Sequence, residues 1–173
     1  MDVLIRAERA GDTEAIAHVN TEAFGRQEEA LLVDQLRNSE AFVPELSLVA
    51  IKGPEIVGHI LFTKIKIIDS LSHYHDSLAL APIAVCTACQ HQGVGAALIR
   101  EGLHRAREIG YLSAIVLGHD GYYPRFGFAP ASQWNITAPF EVPDEAFMAV
   151  ELVENGLKNV SGMVVYAKEF EAV

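Results

Sequence analysis

Cysteine is scarce in this chain, basic residues are outnumbered, and no apolar run is long; each shortage removes a class of function. Only two cysteines occur among 173 residues, Cys86 and Cys89. Their spacing is that of a Cys-x-x-Cys pair. A zinc site would need two further ligands at matching spacing, and no second cysteine pair exists. A redox pair belongs at a helix N-terminus after a strand. This pair nearly has that setting, so the redox reading stays beside the plainer one of inert small residues in a loop. A reducing, cytoplasmic compartment is the simplest one for so few thiols. Lys and Arg number 13 against 23 Asp and Glu, a formal net charge of -10. Gripping a phosphate backbone takes a basic face that displaces counterions, so nucleic acid is not an expected partner. A small anionic ligand stays open, because backbone N–H groups hold phosphates without net positive charge. The longest apolar runs are broken by Lys, Asp or His before they reach bilayer length. The opening Met1-Asp2-Val3-Leu4-Ile5-Arg6 lacks the basic-then-apolar layout of a secretory leader. Neither membrane nor export is expected.

What is present reads as a globular domain. Apolar residues make up 50% and charged residues 21%, an ordinary balance for a packed protein. No repeat, low-complexity tract or linker divides the chain, and its length suits one core, so 1–173 is read as a single domain. Val3 to Ala7 reads as a strand. Asp12 is placed to cap a helix carrying Ile16, Val19, Asn20 and Phe24 at helical spacing. A second helix is expected from Gln27 to Arg37. Ser47 to Lys52 and Ile56 to Ile68 form a hairpin across Gly53-Pro54, and Ser77 to Val85 is a further strand. Pro82 cannot donate to a ladder, which predicts a bulge or a splayed edge there. From Gly93 to Gly110 the pattern is helical, with Leu98, Ile99, Gly102, Leu103, Ala106 and Ile109 on one face and Gly110 as the cap. Leu112 to Leu117 is a buried strand. A short helical segment from Tyr122 to Phe126 leads to a strand at Phe128. Pro130 to Glu145 reads as a long loop, followed by strands at Phe147 to Val153 and Gly162 to Tyr166. The order β-α-α-β-β-β-α-β-α-β-β makes an α+β, or mixed α/β, domain around one twisted sheet.

The most informative stretch runs from Ile83-Ala84-Val85 through Gln90-His91-Gln92-Gly93-Val94-Gly95 to Ala96. A buried strand enters a glycine turn that opens directly into a helix. Such a turn gathers unpaired N–H groups at one spot, with the positive end of the helix dipole behind them. That is a site for a pyrophosphate. A phosphate loop of the Gly-Lys-Ser/Thr kind is absent, and the third glycine of a dinucleotide fingerprint is replaced by Leu98. A glycine-capped turn with no ligand is the plainer alternative. The segment resembles the acetyl-CoA-binding motif of GNAT N-acetyltransferases, Gln/Arg-x-x-Gly-x-Gly/Ala, placed after a Pro-Ile-Ala-Val strand as in that family. The resemblance implies a GNAT-like fold, a central twisted mixed sheet flanked by helices, with acetyl-CoA as co-substrate and no metal. It implies that N–H groups from Gln90 through His91, Gln92, Gly93, Val94 and Gly95 to Ala96 hold the pyrophosphate. It implies also that Ile83, Ala84 and Val85 carry the pantetheine arm, Ile83 and Val85 pairing with it by their backbones.

A second motif of the same superfamily, Tyr-x-x-x-Gly-Phe, ends Tyr122-Tyr123-Pro124-Arg125-Phe126-Gly127-Phe128. Tyr123 stands four residues before Gly127, where the family commonly carries a tyrosine near the CoA sulfur. The Leu-Gly…Tyr-Tyr-x-Arg-Phe-Gly-Phe wording is similar to one branch of N-acetyltransferases, and the likeness covers most of the chain up to Phe128. Attack of an amine on a thioester creates an oxyanion and then expels a thiolate. A thiol has a pKa of about 8.5 and a phenol about 10, so a nearby tyrosine can protonate the departing sulfur. The resemblance thus gives Tyr123 the part of general acid and the Val85 N–H that of oxyanion donor. Tyr122 is its rival, since a shift of one residue in the turn would exchange them; a packed aromatic is the alternative for either. Arg125 is equally a phosphate ligand or a solvated cation.

The proton acceptor stays open among Glu28, Glu29, His75, Asp76 and His119. His73-Tyr74-His75-Asp76 reads as a polar loop rather than a metal cluster. An acetyl group parked on Cys86 or Cys89 is a minor alternative to direct attack in a ternary complex. A CoA-binding sensor without turnover is the alternative to an enzyme. The acidic balance favours a cationic acceptor such as a polyamine, an aminoglycoside-like compound or a peptide N-terminus. Late strands in this superfamily often build dimers, so a homodimer is the assembly the resemblance suggests.

Overall fold

Long strands with both faces apolar set the architecture. The computed structural model describes residues 2–172. Strand β1 (Leu4–Ala7) is followed by helices α1 (Thr13–Phe24) and α2 (Glu28–Arg37), then by β2 (Phe42–Lys52), β3 (Glu55–Ile68) and β4 (Tyr74–Val85). Helix α3 (Val94–Glu108), β5 (Ser113–Leu117), β6 (Ala129–Pro130), β7 (Ile136–Thr137), β8 (Phe147–Glu151) and β9 (Gly162–Val165) complete the order. The strands join one sheet, β1-β2-β3-β4-β5-β8-β6, with β9 bridging β3 and β7. Pairing is antiparallel except for β4 with β5 and β7 with β9. The sheet is mixed and flanked by helices, as expected for a GNAT-like α+β fold.

Alternation sorts the core into layers. Leu48 and Ala50 of β2 and Ile60 and Phe62 of β3 face the α3 side with Leu98 and Ile99, while Val49 and Leu61 face α1 and α2 with Ile16 and Leu36. Because both faces are covered, the central strands read as continuous apolar runs. Gly102 lets α3 approach the sheet: a Cβ there would stand 2.3 Å from Cε1 of the fully buried Phe62. Ile109, expected on the apolar face of α3, is instead exposed, lying at the cap where the chain turns away at Gly110.

Several expected boundaries move for local reasons. β2 begins at Phe42 rather than Ser47, because a register shift between Phe42 and Ser47 absorbs Pro44 within the pairing. β4 begins at Tyr74, so His75 and Asp76 are strand residues opposite Ile67 and Lys66, and Lys66 bonds Asp76 across the pair. The helical segment before Gly127 is a single 3-10 turn, Tyr123–Phe126, with Pro124 at its start and Gly127 at φ 97° closing it. The strand expected at Phe128 lies at Ala129–Pro130, and the loop beyond holds the two-residue strand β7. Asp12 stands at the start of α1 but does not cap it. Its carboxylate takes Arg6 Nη1 (2.6 Å) and the Arg9 N–H (2.7 Å), tying β1 to the helix entry. The Arg6 guanidinium accordingly holds the Asp12 carboxyl below its usual range. No helix among the described residues is long and apolar enough to cross a membrane.

Candidate active site

The site begins where two neighbouring strands part. β4 and β5 share one parallel pair, Ala79 with Ile115. Beyond it β4 pairs only with β3, through Ile60–Ile83, His59–Ala84 and Gly58–Val85. A register shift between Ile60 and Phe62 sets Ala81 and Pro82 opposite the single residue Leu61. This is the bulge the proline predicts, and it lies at the start of the stretch that β5 no longer accompanies. Cys86 N–H donates to Val57 O (2.8 Å). By strand alternation, the N–H and C=O groups of Ile83 and Val85 therefore point away from β3, toward the open edge.

The turn after β4 is built to keep its backbone exposed. A 3-10 turn, Thr87–Cys89, leads to an extended Gln90, then His91 at φ 63° and Gly93 at φ 88°. Gly93 is the residue before α3, and Ala97 N–H is the first to bond back to it, at 3.0 Å. The N–H groups of Val94, Gly95 and Ala96 consequently have no intrahelical acceptor, and the helix dipole adds its positive end there. Two glutamines brace the turn. Gln90 Nε2 donates to Val85 O (3.0 Å) and Gln92 Nε2 to Ala88 O (3.1 Å). Glu22 of α1 accepts the Thr87 N–H (2.8 Å), joining helix and turn.

A cleft of about 800 Å³ joins these parts. Ile83, Ala84, Val85, Gln90, His91, Gly93, Val94, Gly95 and Ala96 all line it, and Gln92, turned toward Ala88, does not. Ala23 and Phe24 of α1, with His119, Tyr122 and Arg125, complete its walls. The α1 residues carry no chemistry of their own, and only the packing of α1 across the strand ends reveals them.

The two tyrosines part company. Tyr122 lines the cleft, its hydroxyl 3.4 Å from where a Cβ on Gly95 would stand. Arg125 holds it from behind: Nε donates to Tyr122 O (3.0 Å), and the guanidinium lies 4.7 Å above the ring. Tyr123 is only 8% exposed and is no part of the cleft wall. Its ring packs edge-on against Phe128 and against Gly118, at the end of β5. Burial pushes its phenol up to about 12, with the neighbouring Tyr122 adding to the shift.

Most of the candidate bases are engaged elsewhere. Glu29 accepts Arg26 (2.9 Å), which holds its carboxyl low, and Glu28 lies 3.6 Å from the same guanidinium. His73 and His75 both approach Asp69 at the far end of the β3–β4 hairpin. Asp76 is held by Lys66, leaving His119 as the candidate that faces the cleft. Cys86 is a free thiol, pushed up by burial and by its hydrogen bond with Cys89. A raised thiol is a poorer nucleophile at neutral pH, which weighs against a covalent acetyl-cysteine.

Comparison with known proteins agrees with this geometry. The acetyltransferase (GNAT) family model matches residues 13–128. The chain is 43% identical over 139 residues to the uncharacterized N-acetyltransferase YjhQ of Escherichia coli K12, spanning 78% of this chain and 74% of that one. To YhbS of the same organism it is 30% identical over 169 residues, 97% of this chain and 98% of the relative. The crystal structure of E. coli YhbS in complex with CoA superposes with a TM-score of 0.90 at 29% identity, covering 98% of this chain and 92% of that one. A GNAT family acetyltransferase from Brucella melitensis in complex with acetyl-CoA gives 0.80 at 32% identity, with 98% of each chain covered. The split strands, the glycine turn and these relatives place the chain in the GNAT family of N-acetyltransferases.

Proposed function

We propose that this protein transfers the acetyl group of acetyl-CoA to a primary amine by direct attack in a ternary complex. The observation that carries the reading is the meeting of an unpaired strand edge and a helix N-terminus in one cleft. The turn from His91 to Ala96 offers its N–H groups to the pyrophosphate, the Gln90 N–H being bonded to Thr87 O, with His91 and Arg125 as nearby side chains. The open edge at Ile83 offers its N–H and C=O to the pantetheine amides, as an added strand would, while Val85 O already accepts Gln90 Nε2. The amine nitrogen attacks the thioester carbon, the N–C bond forms, and the carbonyl oxygen takes negative charge. The Val85 N–H, fixed by its strand, is the donor for that oxyanion, and the Ile83 N–H shares its direction. The C–S bond then breaks and sulfur takes a proton from Tyr123, while the nitrogen gives one up to solvent, from which the phenolate is reprotonated. Burial keeps this phenol protonated but, at about 12, also makes it a weaker acid than a free tyrosine, so it gives up its proton only as negative charge builds on the departing sulfur. Tyr122, whose ring meets that of Tyr123 edge-on at 5.3 Å, is the neighbour of it that lines the cleft.

Burial of Tyr123 also favours a second reading, a CoA-binding module without turnover. Calorimetric titration with acetyl-CoA, beside ATP and NAD on the same sample, tests the site. Micromolar binding of acetyl-CoA alone, followed by amine-dependent CoA release, is the expected result. Absence of any heat with acetyl-CoA or CoA overturns the reading, and binding without CoA release toward any amine favours the module.

A further inference from the structure

A second hollow lies at the root of the same split, and its walls are apolar. It encloses about 330 Å³. Ala79, Leu80 and Ala81 of β4 form one side, with Ile115 and Leu117 of β5 beside them. Three rings close it: Phe140 from the loop between β7 and β8, and Tyr166 and Phe170 from the tail after β9. Phe140 and Tyr166 are stacked, 6.1 Å apart at 25°, and Tyr166 meets Phe170 at 5.4 Å. Among the described residues no Asp, Glu, Lys, Arg or His contributes to these walls, and the one side-chain polar group is the Tyr166 hydroxyl. Leu117 and Phe140 are 48% and 45% exposed, so the rim is greasy as well.

Position gives this hollow a use. It is bounded by residues 79–81 of β4, and the cofactor cleft by residues 83–85 of the same strand. Ala81 and Ile83 are two residues apart, about 7 Å along a strand. A molecule seated between the rings thus ends beside the split where the thioester is proposed to lie. A cavity of about 150 Å³ accommodates benzene, so the present volume takes a ring with a short arm. A polyamine or an aminoglycoside would bring its charges against walls with nothing to pair them, at a desolvation cost that apolar contacts do not offset.

Resting on the acetyl-transfer reading, we infer that the acceptor is a small free amine whose amino group is carried on a compact uncharged apolar group, an aromatic ring or a branched alkyl chain. The overall charge of -10 draws any ammonium toward the protein, and the hollow selects what the ammonium is attached to. Composition alone favours a cationic acceptor of any kind, and the hollow narrows that to a monoamine with an apolar body.

The test compares CoA release with 2-phenylethylamine, 3-methylbutylamine, spermidine and a tripeptide beginning with Phe. The two apolar amines are expected to exceed spermidine at least tenfold in kcat/KM, and the tripeptide likewise. In Phe140→Ala the KM for 2-phenylethylamine should rise at least fivefold, with the Kd for acetyl-CoA unchanged. Phe140 is half exposed on a loop, so that variant is expected to fold, and its unchanged acetyl-CoA affinity reports that it has. Preference for spermidine, or for the tripeptide over both amines, overturns the inference while leaving acetyl transfer intact. Where no amine is turned over, direct titration of 2-phenylethylamine into the CoA-saturated protein decides it: binding lost in Phe140→Ala supports the hollow as its site, and no binding overturns it. Failure of acetyl-CoA itself to bind is read separately, in the cofactor titration.

Discussion

Lowering the pH from 7.5 to 4.5 should cost this protein stability through one buried histidine. His59 of β3 is fully buried beneath α1. Its Nδ1 faces Asn20 Nδ2 at 3.3 Å, and that amide also donates to Ile16 O. Nδ1 must therefore accept, which places the ring proton on Nε2, 2.9 Å from Ser47 Oγ. Ser47 passes its own proton to Glu8, which accepts Arg37 Nε at 2.7 Å. A second ring proton would point at a donor and bring charge into a dry site near Arg37. Burial first, and Arg37 second, lower the imidazole from its ordinary 6.5 to about 3. The folded state thus binds fewer protons than the unfolded chain between those two values, and stability present above pH 6.5 is lost as pH falls toward 3. Each pH unit inside that window costs about 1.4 kcal/mol, so roughly 3 kcal/mol is gone by pH 4.5. That is a large fraction of the ~5–15 kcal/mol that stabilises a typical domain. The assay is urea unfolding at pH 7.5 and 4.5 for the parent and for His59→Gln, which cannot titrate. The variant should start lower but fall about 3 kcal/mol less, carboxylates contributing equally to both. Equal falls in the two proteins would refute the reasoning.

Three further outcomes follow from the packing. Gly102→Ala gains helix propensity of about 1 kcal/mol but drives a methyl into Phe62. Overpacking of this kind costs about 1–3 kcal/mol, so the melting temperature should drop by a few degrees, and a rise would show that Phe62 can move aside. Tyr123→Phe should lower kcat by about 100-fold or more with acetyl-CoA affinity unchanged, whereas Tyr122→Phe should change kcat only a few-fold; the reverse pattern transfers the acid role to Tyr122. Gly95→Val places branches toward Tyr122, Val85 and Ile83 and should weaken acetyl-CoA binding at least tenfold without altering thermal unfolding in the absence of ligand.

How much of this the sequence revealed depends on whether local chemistry decided the outcome. The turn after β4 was legible because Gly93, His91 and the helix start act within a few residues, and a left-handed residue beside a helix N-terminus has few other uses. The bulge at Pro82 was legible for the same reason, since a missing N–H is a local fact. The separate placement of Tyr122 and Tyr123 was not. Adjacent residues on a 3-10 turn point in different directions, and which one meets the core is decided by Gly118 and Phe128, partners that spacing does not identify. The hollow at the split was still less visible. Its rings come from Phe140, in the stretch read as a loop, Tyr166, at the end of the last expected strand, and Phe170 beyond it, and they meet only because β9 returns to pair with β3. Glu22 looks like one more acid on a solvated helix until its bond to the Thr87 N–H is seen.

The charge of the chain and the charge of its site oppose each other, and this has a consequence for the two substrates. A protein of net charge -10 repels an anionic cofactor at a distance. The cleft answers locally, with backbone N–H groups, a helix dipole, Arg125 and His91, none of which adds much to the long-range field. These act within a few ångströms, where added salt screens them little, while the repulsion acts over a Debye length of roughly 8–10 Å or more. Salt should therefore speed the association of acetyl-CoA. For an ammonium acceptor the long-range term is attractive, and the hollow that receives its apolar part is uncharged. Salt should slow that association and leave its dissociation nearly unchanged. A rise in kcat/KM for acetyl-CoA with ionic strength, against a fall for the amine, is the signature of an anion site on an acidic protein; parallel falls would mean that discrete cationic side chains, rather than the exposed backbone of the turn, dominate cofactor binding.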